Sequence, residues 1–166
     1  MKSLLVIVVL VLAAPCLASG QPQTAPPPKP GPEVLRLGYF VGTWKTESET
    51  VTWEWFTGGF SLIGRVEDSG PGGKSNELRI MTYDPDAHDY THYRVTSTGP
   101  GGALMRGTVT GNTWLWQWDG TTSGKSAKYR FSIVEVTPTS FTAKLEVSMA
   151  DGPWTVAFET KGVKIK

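Results

Sequence analysis

Leu37-Gly38-Tyr39-Phe40-Val41-Gly42-Thr43-Trp44 divides the chain into two kinds of sequence. Upstream lie an apolar leader and a run of prolines. Downstream, nearly every segment alternates with a period of two and is cut by Gly, Pro, Asn or Asp at hairpin spacing, the signature of consecutive β-strands. The octapeptide is a short apolar run that ends in Gly-x-Trp. Just before it, Pro32-Glu33-Val34-Leu35-Arg36-Leu37 suits a short helix, with Pro at its first position, Glu33 near its positive end and Gly38 to stop it. This helix turn is expected to plug a barrel, with Gly42 and Trp44 closing one end of it.

Lys45, Glu47 and Glu49 alternate with Trp44, Thr46 and Ser48, which reads as a first strand. Val51, Trp53 and Trp55 then share one face, as do Phe60, Leu62, Gly64 and Val66 after the Thr57-Gly58-Gly59 hairpin signal. Trp114, Trp116 and Trp118 form another such row, as do Tyr129, Phe131 and Ile133. Phe141 to Met149 is the cleanest amphipathic strand, and Trp154, Val156 and Phe158 mark the last one. Asp84-Pro85-Asp86, Gly111-Asn112 and Thr137-Pro138-Thr139 are turns. No connection is long enough for a parallel crossover, and an unclosed meander would leave two edges. The expected fold is therefore all-β: an antiparallel up-and-down barrel of about ten strands with a short N-terminal helix. Ten strands leave more interior room than eight. The 7 Trp and 19 Gly agree with that fold class.

Met1-Lys2 followed by the apolar run Leu4–Ala14 and the small residues Ala18, Ser19 and Gly20 reads as a secretory signal peptide over 1–20. A secreted or periplasmic location follows. Anchoring as a lipoprotein through Cys16 is the weaker reading, because Pro15 stands where a small residue is wanted. Cys16 is the only cysteine, so cleavage leaves a domain held by its core rather than by disulfides. Residues 21–32 carry six prolines and form an extended tether, and 33–166 form the barrel domain. Loss of Lys2 with the leader balances basic against acidic residues, so no nucleic-acid partner is expected. The leader is too short in its apolar part to span a bilayer, and oligomeric state is not legible.

The aromatic rows are the best functional feature. Trp53, Trp55, Trp114, Trp116 and Trp118 line either an apolar pocket or a packed core, and the packed core stands slightly ahead because bulky rings consume cavity volume. Tyr90, His92 and Arg94 share a face and could orient a ligand carboxylate if that face is the lumen. The competing reading, favoured here, turns Thr91, Tyr93 and Val95 inward instead. Arg106 carries the same ambiguity. Asp84, Asp86, His88, Asp89 and His92 resemble a metal cluster in composition, but turn chemistry explains the aspartates and no metal is expected. Gly70 to Ser75 ends like a phosphate loop yet lacks its first glycine and its helix. No nucleophile elbow or selected carboxylate pair is present, so no catalytic residue is assigned.

Helix turn, Gly42-Thr43-Trp44, Trp55-Phe-Thr-Gly-Gly-Phe60, Glu77 with Tyr83-Asp84-Pro85, and Gly107 before Gly111 together resemble the secreted bacterial family termed domain of unknown function 1579, within the lipocalin-like or calycin-type barrels. The resemblance covers nearly all the chain after Pro32. It implies a calycin-like barrel and no established activity. Haem-binding relatives use a late histidine, whereas the last histidine here is His92, so no cofactor is expected. The expectation is a lipocalin-like barrel that binds a small apolar or amphipathic molecule in its mouth. The alternatives are an enzyme working in the same cavity and a filled-barrel structural or interaction module.

Overall fold

Gly42 leaves the octapeptide with a φ of +113°, and a Cβ there would strike the Lys166 carbonyl oxygen. This bend turns a helix, α1 (Pro32–Arg36), and its continuing 3₁₀ turn (Leu37–Phe40) into the first strand, β1 (Gly42–Lys45). The structure is a computed structural model that describes residues 27–70, 73–99 and 101–166. The expected leader, Cys16 included, and the first half of the proline-rich stretch, 21–26, lie outside the described residues.

After β1 come β2 (Glu49–Trp55), β3 (Ser61–Asp68), β4 (Ser75–Asp84), β5 (Asp89–Thr96), β6 (Gly102–Thr110), β7 (Thr113–Thr122), β8 (Lys125–Thr137), β9 (Ser140–Met149) and β10 (Trp154–Lys164). Each strand pairs antiparallel with its sequence neighbour, and β10 pairs with β1, so the barrel closes as an up-and-down meander. Turn chemistry enforces this order. Ser123 and Gly124 both take positive φ (51° and 74°), the left-handed pair that a two-residue hairpin needs to match strand twist. Strand β7 therefore runs through Thr122.

Two expectations about strands need correction. The first expected strand stops at Lys45, and Glu49 belongs to the second. Thr46 turns the chain, its amide donating to the Glu49 carbonyl (2.8 Å) and its hydroxyl oxygen accepting from the Glu49 amide (3.0 Å). Glu49 therefore starts β2 on the lumen side, two residues before Val51, instead of sharing a face with Lys45. The last strand holds a β-bulge between Val156 and Phe158. Trp154 and Val156 pair with the outward Ser148 and Glu146, while Phe158 pairs with the inward Leu145. The bulge thus splits an expected row across both faces.

The octapeptide plugs one end. Its Leu37 and Phe40 are buried, and the Trp44 Nε1–H donates to the Phe40 carbonyl at 2.7 Å. The Tyr39 hydroxyl donates to the Ser140 carbonyl at 2.9 Å and ties the plug to β9. The core then builds around rings laid over glycines. Trp53 lies over Gly64, Trp116 over Gly107 and Phe141 over Gly162, each where a Cβ would otherwise stand. Each buried Trp removes roughly 200 Å² from water, on the order of 5 kcal/mol of transfer free energy. No helix among the described residues is long and apolar enough to cross a membrane.

Candidate functional site

Register divides the lumen into two unlike halves. Near the plug, Trp44, Leu62, Met81, Tyr90, Met105, Trp114 and Trp116 are all buried, and Phe40 packs on Trp114 at 5.0 Å between ring centroids. Trp53 joins this packed half, and half-buried Trp55 lies against Gly38 of the plug. The Tyr90 hydroxyl donates to the Glu33 carbonyl at 3.0 Å, and burial raises its pKa. These residues hold the barrel shut at that end.

Away from the plug, one wall carries charge. Gly64, Arg79 and Arg94 are register partners across β3, β4 and β5, and Val66, Glu77 and Thr96 form the next row. Arg79 donates to both carboxylate oxygens of Glu49, at 3.0 and 2.5 Å, and its Nε donates to Glu77 at 2.8 Å. Burial works against the Arg79 charge, but the two carboxylates outweigh it and raise its pKa. Arg94 is held more loosely, 3.8 Å from Glu77 and with 44% of its side chain exposed.

His92 sits where the halves meet. Its ring lies 5.9 Å from Trp53 and 5.2 Å from Trp116, both edge-on. It is buried, and neither ring nitrogen has a hydrogen-bond partner among the described residues. Burial, then Arg79, then Arg94 push its pKa well below the ordinary histidine value.

The opposite wall is apolar. Trp118 stacks on Tyr129 at 5.0 Å, and Phe131 meets Phe158 at 6.2 Å. Leu145 and Val147 are their inward register partners on β9. These side chains face the lumen yet stay partly exposed; Phe158 is 47% exposed. The wall is also split on one side. β6 and β7 pair only from Arg106↔Gln117 to Thr110↔Thr113, so Gly102–Met105 and Trp118–Thr122 separate. A cleft of about 400 Å³ follows that split on the outer face, where Leu104, Arg106, Gln117, Asp119, Lys128 and Trp154 surround Trp118 and Tyr129. A second, polar cleft of about 420 Å³ lies at the open rim beside Glu49, Asp68 and Ser75.

Of the residues expected in the lumen, Trp53, Trp55, Tyr90, His92, Arg94, Trp114, Trp116 and Trp118 face it, and Thr91, Tyr93 and Val95 face out. Arg106 does not face it. Its register partners Thr91 and Gln117 are outward, and its guanidinium binds Asp84 (3.0 Å) and Asp89 (2.7 Å) on the outer surface. The expected pocket also contracts. Trp53, Trp55, Trp114 and Trp116 belong to the packed half, leaving Trp118 as the one tryptophan of that set on the open wall. The acidic turn is dispersed as well, since Asp84 and Asp89 serve Arg106 while His92 points inward.

The sequence alone did not bring Glu49, Glu77 and Arg79 together in the lumen. Arg79 shares parity with Met81 and Tyr83, which could have shown it, but Leu78 and Ile80 are apolar on the other parity. Those two are outward and exposed. Phe158 was hidden by the bulge. No protein-family model matches the chain, and no curated protein matches it.

Proposed function

We propose that the open half of this barrel binds a small amphipathic molecule with an anionic head. The carrying observation is Phe158, a large apolar side chain on the lumen face that remains 47% exposed. An apolar tail would lie against Phe158, Phe131, Val147 and the Trp118–Tyr129 stack. The head would be taken by Arg94. Arg79 already has its donors on two carboxylates, whereas Arg94 has only one distant partner. The resemblance to the lipocalin-like family of unknown function, and the leader that directs secretion, belong to the same reading.

Tryptophan fluorescence tests it. Adding dodecanoate to the protein should shift the emission, and Trp118→Phe should remove most of that shift, because Trp44, Trp114 and Trp116 are shut away from the open half. A shift that Trp118→Phe leaves whole would place the ligand elsewhere, and no shift would favour the filled-barrel module. That second reading draws on the packed half, where burial of the plug residues leaves no room for a guest.

A further inference from the structure

We infer that the unpaired edge of β10 joins two copies of this chain through an antiparallel strand pair. β1 reaches β10 only at Trp44↔Lys164 and Lys45↔Val163. Beyond that, Trp154 to Lys161 pair with β9 on one side and with nothing on the other among the described residues. The backbone groups along this edge can be satisfied only by water or by another extended strand. Trp154 through Glu159 are all exposed, with Val156 at 55%. Of the ordinary devices that blunt an edge, the segment holds the bulge and Glu159 but no proline, and its one lysine stands at its far end.

The bulge makes the edge complementary to itself. Directly opposed residues of an antiparallel pair point to the same face. Before the bulge, Trp154 and Val156 face outward; after it, Glu159 and Lys161 do, opposite the outward Lys144 and Thr142 of β9. A two-fold axis between Ala157 and Phe158 therefore matches faces. It sets Trp154 opposite Lys161 of the second copy, Thr155 opposite Thr160, and Val156 opposite Glu159. A regular strand of the same sequence would set outward against inward residues in this register. No like charges oppose each other, and Lys161 meets an aromatic ring. A closed two-fold dimer results, since each edge is consumed by its partner.

Sedimentation equilibrium of the purified protein tests this, with cross-linking as a second measure. A dimer should form as concentration rises toward about 100 μM, and Val156→Glu, which sets like charges opposite each other at Glu159 of the second copy, should leave a monomer with an unchanged circular dichroism spectrum. In a Cys16→Ser background, a mixture of Trp154→Cys and Lys161→Cys proteins should oxidise to a mixed disulfide dimer, while each alone should not. A monomer throughout, a dimer indifferent to Val156→Glu, or equal cross-linking of the single variants would overturn the inference. If Val156→Glu does not fold, the cross-linking pattern decides alone.

Discussion

Arg79 grips Glu49 with two parallel hydrogen bonds across the intervening strand β3. The same guanidinium holds Glu77 through Nε. One arginine thus neutralises two carboxylates that point into a barrel.

Removing that arginine should be costly. Arg79→Met leaves Glu49 and Glu77 facing each other with water on one side only. Breaking a shielded pair costs about 3–5 kcal/mol, and partial exposure of both partners brings the expectation to about 2–3 kcal/mol. Urea unfolding should show a lower midpoint with an unchanged slope. A midpoint equal to that of the unaltered protein would mean that the network is incidental to stability.

His92 should make stability pH-dependent. On the strands around it, Arg79 and Arg94 are the charged groups, and Trp53, Met81, Met105 and Trp116 are the apolar ones. Its folded pKa is depressed, so below about pH 6.5 the unfolded chain binds a proton that the folded barrel does not. Stability is then flat above pH 7 and falls as pH drops through about 6 to 5. His92→Met should abolish that slope, leaving only the loss at lower pH as Asp84 and Glu146, whose pKa values are lowered by Arg106 and Arg130, become protonated. An identical pH profile in the variant would contradict this.

Gly107 should tolerate no side chain. The Trp116 ring occupies the place of its Cβ, and Trp116 is buried. Gly107→Ala must displace a ring in a packed core, for an expected loss of about 1–3 kcal/mol. Gly111→Ala is no control, because its positive φ adds strain of its own. Gly99→Ala, with nothing near its Cβ, is the proper comparison and should melt within a degree or two of the parent protein.

Arg130 should pin the projecting end of β10. It binds Glu146 through two nitrogens at 2.7 and 2.9 Å and lies 4.4 Å over the Trp154 ring. Lysine can reproduce neither the fork nor the stacking. Arg130→Lys should therefore speed amide hydrogen exchange in Trp154–Val156 while leaving exchange of Trp114 and Trp116 unchanged. Equal rates throughout would show the contact to be without effect.

The meander was legible because its turns declare themselves. Gly-Gly, Asp-Pro and Gly-Asn pairs separate strands whose parity is clear, and Gly42-Thr43-Trp44 marks the plug. Thr46–Ser48 was not legible, since a threonine hydroxyl closes that turn without glycine or proline. Parity alone also could not choose the inward face of β4, where Leu78 and Ile80 compete with Met81 and Tyr83. In β5, apolar Val95 and Tyr93 compete with Tyr90 in the same way. Strands in contact settle such choices. Met81 must oppose both Leu62 and His92, and this draws Arg79 and Arg94 inside. Composition did not show how the tryptophans divide between packed core and open wall, because that division depends on β1 being short and β8 to β10 long.

In the proposed binding mode the apolar wall of the open half takes a ligand tail while Arg94 takes its anionic head. Calorimetric titration of dodecanoate at several temperatures tests it most directly, because burial of apolar surface gives a negative heat-capacity change. Saturable binding with a negative heat-capacity change is predicted, together with at least tenfold weaker binding to Arg94→Gln, about 1.4 kcal/mol, and loss of binding to Phe158→Glu. Absence of saturable heat, or equal affinity in all three proteins, would contradict it.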